Sequence, residues 1–327
     1  MASKLISMQE AVAKYTWDGM HYAHGASLSV GADSLAFGRE IVRQGRQNLH
    51  VYSHCCAQQL NLLCAAGAVD KVETAFTGLE VYGFPLGLRR AVESGRTVVE
   101  DYSNLNFSLR LLAGALNWPF VPVVSGYGSD QEWRSAFNPE EYPCTSKIPE
   151  VVDPFSGRPC HVLPPIQPEV AAIHVTMADP EGNAIMLGSE WNRFELSRAA
   201  KKVILQADLI VDTGCMRQFP NLVRIPGHLV DAVVYWPMGV WPQCSPGLYD
   251  SDEEHMYAMN NAMKTQEGFE RYKEEYIDSY QTIDEFLAMI GQERIDQLCD
   301  TVTKHLMDPF RKWIMTDEQI SNLTGGR

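Results

Sequence analysis

A histidine beside two cysteines, in Ser53-His54-Cys55-Cys56, is the most reactive-looking set of side chains in this chain. A thiolate next to an imidazole can act as a nucleophile. Adjacent residues on an extended chain point to opposite faces, so His54 is not expected to activate Cys55 by direct contact. Lining a substrate pocket suits His54 and Cys55 better than bond-making chemistry does. Glu190, in Leu187-Gly188-Ser189-Glu190, is a carboxylate that could be a nucleophile or base, although the helix dipole also favours glutamate at a helix start. His174 lies inside the apolar run 170–177, as a core histidine would, and His228 follows Pro226-Gly227 in a turn and receives no role.

Two glycine-bearing loops complete the candidates. One is Gly25-Ala26-Ser27; the other is Ser125-Gly126-Tyr127-Gly128-Ser129-Asp130. Gly126 and Gly128 lack the side chains that hold a backbone away from a ligand, so their amides could reach an anionic or polarised oxygen. Ser125 and Ser129 add hydroxyls. Ordinary tight turns use the same residues. There is no Gly-x-Ser-x-Gly elbow, Walker loop or His-Glu-x-x-His helix, and the glycines near Gly25 and Gly31 do not make a dinucleotide fingerprint. The eight cysteines contain no Cys-x-x-Cys pair, which suits neither zinc nor a disulfide framework. No metal is expected, and a reducing cytoplasm is.

These residues need elements to hold them. Ser7 and Glu10 have the spacing of a capping box, with Ala11, Val12 and Tyr15 following at helical intervals. A strand over residues 20–28 leads through a small polar loop to a helix from Ser34 to Gln44, stopped by Gly45. Strands are expected over 49–53, 71–77, 97–101 and 119–124, with helices over 58–66, 85–94 and 104–116 between them. This alternation predicts an α/β fold, an open and mostly parallel sheet with helices on both faces. Ligands collect outside the carboxyl ends of such strands, where the loops at Gly25, His54 and Ser125 are all expected to fall.

A proline-rich stretch, 137–168, should wrap the surface before strands resume at 170–177 and 184–187, joined by the turn Asp179-Pro180-Glu181-Gly182-Asn183. A helix over 194–200 and strands within 202–211 and 228–236 follow. Residues 253–305 predict two or three acidic amphipathic helices. The division is therefore one α/β domain, 1–252, and a helical C-terminal extension, 253–327, packed on it.

The formal net charge of -14 argues against nucleic acid or an anionic membrane as partner, since only short basic pairs such as Arg89-Arg90 oppose it. The first residues lack the continuous apolar core of a signal peptide, and no run approaches a spanning helix. With no self-sufficient catalytic set, either another subunit supplies the chemistry or the chain is a binding module.

An ordered series of pieces bears on that choice. It includes Ala11-Val12-Ala13-Lys14-Tyr15, Glu40-Ile41-Val42-Arg43-Gln44-Gly45, Glu100-Asp101-Tyr102-Ser103, Pro119-Phe120-Val121-Pro122-Val123, Ala171-Ala172-Ile173-His174, Val230-Asp231-Ala232-Val233-Val234 and Gln243-Cys244-Ser245-Pro246-Gly247-Leu248-Tyr249-Asp250. In order and spacing the chain resembles the α subunit of a family I coenzyme A-transferase of the glutaconate type. The resemblance implies an open α/β subunit paired with a similarly folded β subunit in an αβ heterodimer or larger assembly. It implies a CoA thioester as substrate, no permanently bound cofactor, and a nucleophilic glutamate in the β subunit rather than a catalytic residue here. Gly25, Ala26, Ser27, His54, Cys55, Ser125, Gly126, Gly128 and Ser129 would line the acyl pocket.

The family usually carries Gly-Gly-Phe and then a basic residue after the first strand. This chain has Gly25-Ala26-Ser27 and no Lys or Arg before Arg39, which counts against a dicarboxylate substrate. His54-Cys55 stands where relatives have small residues. Ring-opening hydrolases of the family carry arginine where this chain has Val124 or Ser125. A CoA-thioester hydrolase or an acyl-CoA decarboxylase on the same scaffold is the alternative activity.

Overall fold

The chain builds its sheet from apolar runs that return, helix by helix, to one parallel edge. The computed structural model describes residues 2–25, 33–55, 58–132, 146–300, 302 and 304–324. The first half runs α1 (Met8–Tyr15), β1 (His21–His24), α2 (Leu35–Arg43), β2 (Leu49–Cys55), α3 (Gln58–Ala65), β3 (Val69–Phe76), α4 (Leu86–Glu93), β4 (Val98–Asp101) and α5 (Asn104–Ala115). Then come β5 (Val121–Val123), β6 (Glu150–Val152), β7 (Pro159–Leu163), β8 (Val170–Ala178), β9 (Ala184–Ile185), α6 (Arg193–Ala199), β10 (Lys202–Ile210), α7 (Thr213–Gln218), β11 (Val223–Ile225) and β12 (Ala232–Tyr235). The tail holds α8 (Glu253–Ala262), α9 (Gln266–Tyr276), α10 (Ile283–Ile290), α11 (Gln292–Asp300) and α12 (Asp317–Thr324).

Parallel pairing gives the order β12-β10-β8-β1-β2-β3-β4, and antiparallel β9 and β11 complete nine strands. All nine residues of β8 are buried, as its unbroken apolar run requires of a strand covered on both faces. Alternate residues divide between two cores: Val170 and Ala172 meet α1 to α4, while Ala171, Ile173 and Val175 meet α5 and α6.

The strand expected over 119–124 forms, but elsewhere. β5 pairs antiparallel with β7, and β7 with β6, in a separate three-stranded sheet. Pro122 leaves β5 without a ladder N–H, which a central strand of a parallel sheet cannot spare but an edge strand can. Two buried ion pairs fasten the loops around this small sheet to the main one. Lys147 pairs with Glu100 of β4 and donates to the Asp101 carbonyl (2.8 Å). Arg110 of α5 pairs with Glu73 of β3 and donates to the Pro164 carbonyl (3.0 Å).

The tail is broken more finely than the sequence pattern indicated, with four helices, α8 to α11, where two or three were expected. Thr265 and Thr282 accept from the Gly268 and Glu285 amides and start new helices, and Gly291, at φ +91, ends α10. Met259, Phe269, Tyr272 and Phe286 join the same core as Phe37 and Leu62. Beneath them the buried Arg39 guanidinium lies 5.2 Å from the Trp241 ring and 5.7 Å from the Phe286 ring.

This arrangement makes the tail acid-sensitive. His255 sits 3.1 Å from the Tyr272 hydroxyl, and burial, then the Arg39 charge, push its pKa from the ordinary 6.5 down to about 3. The unfolded chain takes up that proton first as pH falls. Stability present above pH 6.5 is therefore lost progressively toward pH 3. Denaturant titrations across this window should show a shallower pH dependence for His255→Gln than for the parent; equal slopes would count against the assignment.

Candidate active site

β10 occupies one edge of β8 as far as Ala178, but β1 covers the other edge only to Ala172. The end of β8 is thus free on the β1 side, and β9 pairs there, Met177 opposite Ile185. The chain leaving β9 consequently crosses the carboxyl ends of β1 and β2, carrying residues 186–192.

Arg193, buried at the start of α6, holds this crossing. Its Nη1 donates to the His174 carbonyl (3.0 Å), its Nε to the Glu190 carbonyl (3.2 Å) and its Nη2 to the Ser189 carbonyl. Burial lowers its pKa to about 10, so it stays cationic at neutral pH. Gly25 is the floor for this side chain: a Cβ there would lie 2.6 Å from Arg193 Cγ. The glycine makes room for an arginine from far along the chain. Ala26 and Ser27 lie outside the described residues. At the base of their loop, His24 Nδ1 and Asp33 Oδ1 are 3.0 Å apart, and Asp33 also accepts from the Gln59 amide (2.8 Å).

Glu190 is not a free carboxylate. Arg224 pairs with it, Nη2 donating to Oε2 (2.9 Å) and Nε lying 2.5 Å from Oε1. The next residue, Trp191, adopts φ +48, a left-handed conformation that is strained for a bulky side chain. There its indole N–H donates to His54 Nδ1 (3.0 Å), with the rings edge-on at 5.5 Å. Because Nδ1 accepts, the imidazole proton sits on Nε2, facing the Asn104 carbonyl (3.3 Å) and Ser108 Oγ (3.1 Å). Burial lowers the His54 pKa, which keeps this neutral tautomer.

Cys55 Sγ lies 3.4 Å from His54 Nδ1, closer than opposite-face geometry allows. β2 ends at Cys55, whose carbonyl accepts from Ser53 Oγ (2.8 Å), so the pleat no longer separates the two side chains. The contact makes no nucleophile. Burial raises the thiol pKa to about 11, and Trp191 already holds the imidazole lone pair.

His54 and Trp191 cap a cavity of about 530 Å³ between α5 and the start of α6, lined also by Leu105, Ser108, Leu109, Leu112 and Glu195. The loop 125–130 stands on the other flank of α5. Ser125 Oγ donates to Asn106 Oδ1 (2.5 Å), and Asn106 is half a helical turn round from Asn104 and Ser108, which meet His54. Within the loop, Gly126 and Gly128 take φ +97 and +71, Ser129 Oγ donates to the Gly126 carbonyl (2.6 Å) and the Gly128 amide donates to Glu132 (2.8 Å). The Ser125 and Ser129 hydroxyls and the Gly128 amide are thus engaged within the protein.

Of the residues singled out from sequence, the fold brings Gly25, His54 and Cys55 together and leaves Ser125, Gly126, Gly128 and Ser129 apart. Trp191 and Arg193 were missed. Their signal was an aromatic and a cation directly after Gly188-Ser189-Glu190. No cluster of potential metal ligands occurs among the described residues, and no described helix is long and apolar enough to cross a membrane.

The site is thus a largely apolar cavity beside the carboxyl ends of the strands of a mostly parallel α/β sheet. The chain belongs to the coenzyme A transferase family, whose model matches residues 5–235, and is an enzyme of that type. It is 30% identical to the A-subunit of the glutaconate CoA-transferase of Acidaminococcus fermentans over 305 residues, 90% of this chain and 94% of that protein. The crystal structure of that enzyme superposes with a TM-score of 0.85 at 28% identity, covering 90% of this chain and 95% of the other. A protein of uncharacterised function from Archaeoglobus fulgidus is 36% identical over 301 residues, 91% of this chain, which spans 65% of that relative's length. The crystal structure of a variant of the decarboxylase AibA/AibB matches with a TM-score of 0.69 at 27% identity, covering 83% of this chain and 98% of that one.

The Trp191 to His54 bond is open to test. Trp191→Phe keeps a ring but removes the donor, and should cost about 1 kcal/mol of stability. Nitrogen NMR of the imidazole should show His54 as the Nε2–H tautomer in the parent and a mixture in the variant. A parent spectrum with the proton on Nδ1 would refute the geometry.

Proposed function

We propose that this chain is the α subunit of a heteromeric CoA-transferase that moves coenzyme A between an acyl-CoA and a carboxylic acid, with the nucleophilic glutamate supplied by a β subunit. The observation that carries the reading is the chemical quietness of the described site. His54 is neutral with both nitrogens engaged, the Cys55 thiol is held protonated, and Glu190 is paired to Arg224. Covalent transfer through a carboxylate needs its nucleophile from elsewhere, and relatives that are each one subunit of a named CoA-transferase support such pairing.

In the proposed cycle the partner's glutamate attacks the thioester carbonyl and expels CoA thiolate, forming a mixed anhydride. The thiolate then attacks the glutamyl carbonyl and releases the first acid, leaving a glutamyl-CoA thioester. The acceptor carboxylate attacks that thioester and expels CoA thiolate, forming a second mixed anhydride, whose acyl carbonyl the thiolate then attacks to give the new acyl-CoA and free the glutamate. This chain's part is to bind the acyl group, orient its carbonyl and keep out water, which would otherwise hydrolyse the thioester. Gly25, Ala26, Ser27, His54 and Cys55 are proposed to form the near wall, and Ser125, Gly126, Gly128 and Ser129 to lie at its margin toward the partner.

The test is to co-express the chain with the product of its neighbouring gene and follow exchange between an acyl-CoA and acetate. Exchange should require both chains and should fall by at least about a thousandfold when the partner's glutamate is replaced by alanine. Free CoA released without acceptor would establish hydrolysis instead, and carbon dioxide with retained thioester would establish decarboxylation.

A further inference from the structure

Resting on that reading, we propose that the cavity beneath His54 selects an uncharged, apolar acyl chain over one ending in a carboxylate. Leu105, Leu109 and Leu112 recur at helical spacing and present one continuous apolar wall from α5. Trp191 also lines the cavity, half-exposed at 39% with its N–H already committed to His54. The polar groups on the lining supply no positive charge for a carboxylate. His54 is a neutral imidazole whose N–H faces Asn104 and Ser108, Asn104, Ser108 and Asn192 are uncharged, and Glu195 is itself an acid.

No lysine or arginine is among the described residues that line the cavity. The nearby arginines are engaged, Arg193 on three backbone carbonyls, Arg224 on Glu190, and Arg198, close to Glu195, on the Phe194 carbonyl and Ser197 Oγ. A substrate carboxylate placed there would lose water, meet Glu195 and find no cation among the described lining residues, an arrangement disfavoured in a partly desolvated site. An alkyl or alicyclic chain would instead replace water against leucine and indole, and a cavity of about 530 Å³ is of a size that serves small ligands.

The experiment uses the complex of this chain with its partner and two probes of similar length, hexanoyl-CoA and glutaryl-CoA. Both turnover with acetate and binding by titration calorimetry are measured, so a complex that binds without transferring separates this inference from the transferase reading. Hexanoyl-CoA should be favoured at least about a hundredfold in binding and, where transfer occurs, in kcat/KM. Glu195→Lys should narrow that ratio by about tenfold or more, because it places a cation where an anion stood. Trp191→Ala should weaken hexanoyl-CoA more than glutaryl-CoA. Glutaryl-CoA bound or turned over as well as hexanoyl-CoA, no binding of either, or a ratio untouched by Glu195→Lys would overturn the assignment.

Discussion

The buried Arg193 guanidinium is the constraint on which the candidate site depends. It collects carbonyls from three places, His174 in the central strand β8 and Ser189 and Glu190 in the crossing loop. A planar fork with five donors can satisfy acceptors in several directions at once, which the compact ammonium of a lysine could not do from one position. Its aliphatic stem fills the space above Gly25, where any side chain would collide. The carboxyl ends of β1 and β8 and the loop bearing Trp191 are thereby fixed as one body.

From that body the chemistry of the cavity follows. Trp191 is delivered in a conformation that places its N–H on His54 Nδ1, which decides the tautomer and leaves the imidazole a neutral donor to α5. Cys55, though in contact, meets a lone pair already taken and surroundings that keep its thiol protonated. Such a site can shape, orient and dehydrate a substrate, but its described residues lack a group poised to attack one. On the proposed reading this division keeps a reactive thioester from being spent until the partner's carboxylate arrives.

Much of the fold was legible because parallel strands announce themselves as apolar runs between helices, and the expected open sheet is what forms. Local pattern could not say which sheet a strand joins. Residues 119–124 read as one more parallel strand, and only the Pro122 gap and the long return through β6 and β7 explain why they form an edge elsewhere. Gly25, expected to line the acyl pocket, gives clearance to a side chain 168 positions later, the difference between 193 and 25. The same ambiguity affects Gly126 and Gly128, whose positive φ is a demand of the turn itself. Pairwise contacts across such distances leave no trace in the spacing of neighbours, so Trp191 and Arg193 passed unnoticed beside Glu190.

Magnitudes show which contact holds the strained loop. A bulky residue in the left-handed region costs about 1–3 kcal/mol. The single bond from Trp191 to His54, neutral on both sides, returns about 1 kcal/mol, too little to sustain that conformation alone. Hydrogen bonds from a charged donor are worth about 1.5–3 kcal/mol each, and two of the three made by Arg193 end on the residues immediately before Trp191. The clamp therefore dominates, and the indole bond rides on it. Neither of those two bonds involves the indole, so the backbone that presents the ring is held independently of the ring's own contacts. On the proposed reading, Arg193 sets where that wall stands and Trp191 sets the face it turns to the acyl group.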